Sequence, residues 1–188
     1  MELPMTKLLC LCLCLCLIPL MKNVAWADST SPYTGQQARD IKALGSEDVD
    51  AYLSGKGMGL AKAAELNGYP GPAHVLAMTT QLELSPDQKQ RTEALFSSME
   101  EKATSLGHML IAQERELDEQ FSAKTITQES LVALVRRIGE LQAEIREAHL
   151  EAHLAQLTIL TPSQVAKYQQ LRGYTGADMH QHDHQHPH

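Results

Sequence analysis

The chain has 188 residues, with 16 Lys and Arg against 23 Asp and Glu, a formal net charge of −7, and aromatic residues at only 4%. That length suits one domain with short appendages, and the acidic balance argues against a nucleic-acid partner, which needs a basic surface. Ala, Leu, Glu, Gln and Arg dominate between residues 84 and 164, a composition that favours helix.

All four cysteines (Cys10, Cys12, Cys14, Cys16) alternate with leucine near the N-terminus. Lys7 supplies a positive start, Leu8 to Leu20 an apolar run, and Ala25-Trp26-Ala27 a small-x-small cleavage site. The run falls short of the ~20 apolar residues a spanning helix needs, so residues 1–27 read as a secretory signal. Cleavage there removes Glu2, Lys7 and Lys22, leaving 14 basic and 22 acidic residues, a net charge of −8, and no cysteine. An exported, thiol-free chain points to the periplasm.

Residues 28–45 are polar and are expected to form a flexible arm. Ser46, followed by Glu47 and Asp48, reads as an N-cap opening a short helix that fails near Gly55-Lys56-Gly57. A second short helix is expected from Met58 to Leu66, closed by the left-handed C-cap signal Asn67-Gly68. Tyr69-Pro70-Gly71-Pro72 is a turn, and Pro72 can open a helix reaching about Leu82.

Leu84-Ser85-Pro86-Asp87-Gln88 is a helix start: a hydroxyl N-cap, proline at the first helical position, and glutamine three residues after the cap to complete a capping box. Leu160-Thr161-Pro162-Ser163-Gln164 repeats it. The first long helix should run from Pro86 to about Phe121, its stripe carried by Leu95, Leu106 and Leu117 with Met99, Leu110 and Phe121 at eleven-residue spacing. After a break at residues 122–126, Thr127 caps a second helix, Gln128 to Ile159, with heptad registers Leu131, Ile138, Ile145, Ala152, Ile159 and Leu134, Leu141, Ala148, Ala155. Its alanine half lets another helix approach closely. A short connection makes the pair, about 54 and 48 Å long, an antiparallel hairpin. Pro162 to Arg172 forms a last helix stopped by Gly173, so residues 46–173 make one all-α domain of a long hairpin with short flanking helices. Residues 174–188 are a His-rich tail, expected to be disordered without a ligand.

The paired Leu-Thr/Ser-x-x-Gln motifs at Leu84, Ser85, Gln88 and Leu160, Thr161, Gln164, with a signal peptide and a helical hairpin, resemble the LTxxQ family of periplasmic proteins (Spy, CpxP, ZraP and CnrX types). The resemblance covers about Leu82 to Gly173. It implies a hairpin fold that forms a homodimer or higher homo-oligomer. It also implies non-catalytic activity, either ATP-independent holding of unfolded proteins or metal binding.

His149 and His153 lie four apart on one helix face, close enough to share a divalent ion such as Zn, Cu or Ni. With the turn near residues 124 and 125, opposed residue numbers sum to about 249, which levels His149 with Glu100 and His153 with Phe96. Glu100 or Glu101 is therefore expected to join the two histidines, whereas His108 lies about 12 Å too far along the axis. His180, His182, His184, His186 and His188, alternating around Asp183, form a second, less selective metal-binding stretch. The methionines, Met58 and Met99 among them, are scattered and read as core filler rather than copper ligands, and His74 reads as a helix-surface residue. Leu150, Leu154 and Leu157 form a row off the seam, either covered by the last or early helices or exposed to a second subunit or client. Gly55-Lys56-Gly57 lacks the ending of a phosphate loop, and no Ser-His-Asp set stands out, so an enzyme is not expected. Three roles follow: a periplasmic metal-binding stress or heavy-metal resistance protein, a holdase, or a regulatory partner of a membrane-bound envelope-stress or metal sensor.

Overall fold

In the computed structural model, which describes residues 30–174, long helices begin where hydroxyl side chains can cap them. Ser85, Thr127 and Thr161 each accept a bond from the backbone N–H three residues on. The described residues are all helical in their regular structure: α1 (Ser46–Leu53), α2 (Lys62–Glu65), α3 (Pro72–Ala77), α4 (Pro86–Ser122), α5 (Gln128–Ile159) and α6 (Pro162–Leu171), preceded by a 3-10 turn at Gln36–Ala38. None of these helices is long and apolar enough to cross a membrane. Residues 1–29 and 175–188 lie outside the description, and with them the signal segment and the five tail histidines. The chain divides after Gly35. Residues 30–35 form a turn in which the Thr34 hydroxyl donates to the Ser31 carbonyl at 2.7 Å.

The α4–α5 hairpin carries the core. Leu106 and Leu110 of α4 interlock with Ile138, Leu141 and Ile145 of α5, with Tyr52, Leu60 and Leu117 packed against them. The heptad seam of α5 is buried as its spacing requires, through Ala148 and Ala152. On α4 the stripe frays at its end: Phe121 is 54% exposed because it lies in the last turn beside the hairpin tip. A second cluster, Val75, Leu82, Leu160 and Tyr168, closes the opposite end.

The repeated motif joins the two helix starts. Each glutamine accepts its own cap's N–H (Ser85 to Gln88 at 3.1 Å, Thr161 to Gln164 at 2.9 Å). Each carboxamide nitrogen then donates to the other's oxygen, at 2.8 and 3.0 Å. The same nitrogens reach across to backbone carbonyls, Gln88 to Ile159 at 2.9 Å and Gln164 to Leu82 at 3.1 Å. Two capping boxes thereby become one clasp.

Several sequence expectations need correction. Residues 36–45, expected within a flexible arm, are held against the hairpin: Ile41 is 2% exposed, Lys42 pairs with Asp118 at 2.8 Å, and Asp40 pairs with Arg115. The cap of α1 is Gly45 rather than Ser46, because Asp48 reaches back to accept the Gly45 N–H at 3.1 Å. The expected helix from Met58 shrinks to Lys62–Glu65, since Met58 (φ 46°) and Gly59 (φ 77°) both take left-handed backbone. α3 stops at Ala77 rather than Leu82, where the Thr79 hydroxyl takes the Leu76 carbonyl at 2.7 Å and competes with helical bonding.

Helix ends share one device. After α2, Gly68 is left-handed while the Tyr69 and Gly68 N–H groups donate back to Ala64 and Glu65. After α4 the same geometry falls on a lysine: Lys124 has φ 58°, with Thr125 and Lys124 donating to Gln120 and Phe121. A Cβ is strained there, so Lys124→Gly should stabilise the protein by roughly 1 kcal/mol. Urea unfolding reads this as a raised midpoint at constant m-value; a lowered midpoint would show that the lysine side chain matters more than its backbone.

Candidate functional site

The irregular segment between α1 and α3 lies across the hairpin and is fitted to it by glycines. A Cβ on Gly55 would press on the Glu100 carbonyl and the Thr104 hydroxyl, and one on Gly57 would touch the His149 ring. Gly71 presses on the Cε1–Nε2 edge of His153, where a Cβ would come within 2.9 Å. The alanine half of α5 is therefore approached by this segment and by the short helix α2. Between the segment and the hairpin is a cavity of about 610 Å³.

His149 and His153 both line that cavity. His149 is 6% exposed, and its Nε2 is buried with no hydrogen-bond partner. Burial, with a smaller contribution from His153, pulls its pKa below the ordinary imidazole value and keeps the ring neutral. His153 Nδ1 meets the Tyr69 carbonyl at 2.7 Å. A carbonyl only accepts, so Nδ1 carries the proton and Nε2 offers a lone pair. A backbone carbonyl that fixes the tautomer in this way is the usual outer support of a metal-binding histidine.

Of the two carboxylates expected beside the histidines, exposed Glu100 reaches the cavity wall, whereas Glu101 is exposed and off it. The register expected from the turn holds: Lys102 of α4 pairs with Glu151 of α5 at 3.0 Å, and Thr92 accepts from Gln156 at 3.2 Å. The carboxylate nearest His153 is Glu65, from α2, at 3.9 Å from Nδ1. Nothing local in the sequence marks it. Its position follows from the Asn67-Gly68 stop and the Pro-Gly-Pro turn, which fold α2 back onto α5 and α6. Burial raises the Glu65 carboxyl, but donors outweigh it: the Tyr168 hydroxyl at 2.6 Å, the Tyr174 hydroxyl at 3.0 Å and Arg172 Nε at 3.0 Å hold its pKa below the usual value. Tyr168 is fully buried, and its hydroxyl also accepts from the Gly71 N–H, so α2, α6 and the turn are tied at one point. His74, read as a surface residue, is exposed but stands on the cavity rim. Met58 and Met99, read as filler, line the same cavity. Among the described residues, no three His, Cys, Asp or Glu side chains converge closely enough to hold an ion by themselves.

These groups set the response to acid. The lowered pKa of His149 gives stability that is present above pH 6.5 and is lost as pH falls through the depressed value. Glu65, also lowered, adds stability that is present above pH 4.5 and is lost below it. Glu114, raised by its burial on α4, acts in the opposite sense, and its cost disappears on protonation. The melting midpoint should therefore fall from pH 7 toward pH 5 and fall again below pH 4.5. His149→Gln should remove the upper limb; an unchanged pH profile in that variant would reassign it.

The Leu150, Leu154 and Leu157 row divides. Leu150 and Leu157 are half-buried and Leu154 is 57% exposed.

No curated protein and no solved structure matches the chain. The model of the LTXXQ motif family protein matches residues 73–172, more than half the length and the whole of the clasped hairpin. The chain belongs to the LTXXQ motif family, whose members are generally periplasmic.

Proposed function

We propose that this protein is a periplasmic, non-catalytic metal-binding protein of the stress or heavy-metal resistance kind, holding a divalent ion (Zn, Cu or Ni) at His149 and His153. The observation that carries this is the orphaned, neutral His149 Nε2 beside a His153 whose free lone pair is set by Tyr69. An unpaired buried imidazole nitrogen costs free energy unless a ligand uses it. Neutral imidazoles suit borderline ions of this group, and Glu100 supplies a carboxylate at the rim. The tail histidines extend the same donor chemistry. In equilibrium dialysis against Zn(II), Cu(II) or Ni(II), the full chain carrying His149→Gln and His153→Gln should retain one fewer tightly held ion than the parent. Equal retention by the two proteins rejects the site.

A second reading, a holdase acting as a homodimer or larger homo-oligomer on unfolded proteins, or a partner of a membrane sensor, is favoured by the exposure of Leu154. Leu154→Asp should abolish suppression of model-substrate aggregation while leaving metal retention intact; undiminished suppression rejects that surface.

A further inference from the structure

Two thioethers line the cavity, one from the hairpin and one from the segment that covers it. Met99 belongs to α4, and by the antiparallel register it stands level with residue 150, about 1.5 Å of helical rise from the level of His149. Met58 belongs to the covering segment and directly follows Gly57, where a Cβ would touch the His149 ring. We propose that these two sulfurs join His149 and His153 in a site for monovalent copper, Cu(I), an inference that rests on the metal-binding reading and names its ion.

Donor chemistry selects the ion. Among the described residues no three His, Cys, Asp or Glu side chains converge, so the nitrogen, oxygen and thiolate set that closes a zinc site is short. Methionine lies outside that set, and with Met58 and Met99 the cavity offers two thioethers beside the two imidazoles. Thioether sulfur is a soft ligand that selects Cu(I), and imidazole suits copper as well. Charge points the same way. The wall carries three cations, Lys56, Lys62 and Arg172, against two carboxylates, Glu65 and Glu100, and Glu65 is already held by Tyr168, Tyr174 and Arg172. Thioethers and imidazoles are uncharged when they bind, so they cancel none of an ion's charge. Desolvation grows with the square of that charge, which makes a divalent ion about four times as costly to enclose as a monovalent one. The backbone supplies a third observation. Met58 holds φ 46° between Gly57 and Gly59, a left-handed conformation that glycine takes without strain and methionine does not. Glycine at position 58 would relax the segment and remove the sulfur. The strained residue thus stands where a Cu(I) site needs its side chain.

The test follows methionine methyl and histidine ring signals by NMR in the full chain, in oxygen-free buffer with excess reductant to keep copper as Cu(I). Copper bound elsewhere is then silent. Titration with Cu(I) should shift the Met58 and Met99 methyl signals in step with the His149 and His153 rings, while Met78 and Met109, which lie off the cavity, stay still. This measurement needs no variant. Independently, Met58→Leu combined with Met99→Leu, which keeps volume and apolarity, should weaken the ring-read Cu(I) affinity roughly tenfold or more and leave the ring-read Zn(II) affinity within about twofold. Methyl signals that stay still while the rings respond to Cu(I), with ring-read affinity unchanged in the double variant, overturn the inference and leave the two-histidine site standing. Rings that respond to neither Cu(I) nor Zn(II) below millimolar concentration in the parent chain overturn the metal-binding reading itself.

Discussion

Replacing Gly107 by alanine should lower the melting midpoint by roughly 6–10 °C, a loss of about 2 kcal/mol, whereas the same change at Gly139 should raise it. Both glycines sit inside long helices, where alanine is normally better by roughly 0.5–1 kcal/mol. Gly139 has nothing within 4 Å of where a Cβ would stand, so only the backbone gain applies. At Gly107 a Cβ would overlap the Tyr52 carbonyl, which is backbone and cannot rotate away. α1 must then lift from α4. The loss is bounded by what docking α1 contributes, chiefly the contact of Tyr52 with the Leu106 and Leu110 cluster. Because Gly57, which lies against the His149 ring, follows Tyr52 by only five positions, the same change should speed hydrogen exchange in α1 and move the His149 pKa back toward its ordinary value. A Gly107→Ala protein as stable as the parent would show that α1 does not rest on α4 in this way.

That contact illustrates what the sequence could and could not disclose. The hairpin was legible because its signals are local or periodic. Hydroxyl caps at Ser85, Thr127 and Thr161 mark helix starts, and the apolar spacing of α5 marks the buried seam. The antiparallel register then follows from the turn alone, which is why Glu100 could be placed level with His149. The cover over the histidines was not legible. Glu65 meets His153 across 88 positions, and its approach depends on left-handed backbone at Met58 and Gly59, a conformation that methionine does not advertise. The arm misled for a related reason. Its polar composition says nothing of Asp118 and Arg115, some 75 positions away, which hold Lys42 and Asp40. His149 shows the limit from the other side: the i, i+4 spacing put it beside His153, but only the fold shows that one ring is buried without a partner and the other has its tautomer set.

Gln88→Ala and Gln164→Ala should each cost about 1–2 kcal/mol, and the double variant should cost less than the two together by about 1 kcal/mol. Each carboxamide serves three groups: its own cap's N–H, a carbonyl of the opposite segment, and the other glutamine. Removing Gln88 strands the Ile159 carbonyl and the Ser85 N–H and takes one partner each from the Gln164 oxygen and nitrogen, which keep the Thr161 N–H and the Leu82 carbonyl. Removing Gln164 as well adds its own orphans at Leu82 and Thr161, but the bonds between the glutamines are already gone. The shortfall in the double variant measures the clasp itself, separate from two ordinary capping boxes. The two boxes lie at the end of the hairpin away from its turn, where α4 begins and α5 ends, so the clasp sets how closely the two chains run as they approach His153. Its loss should therefore also weaken metal binding at His149 and His153 without altering any ligand. Strictly additive losses in denaturant unfolding would reduce the repeated motif to two unconnected helix starts.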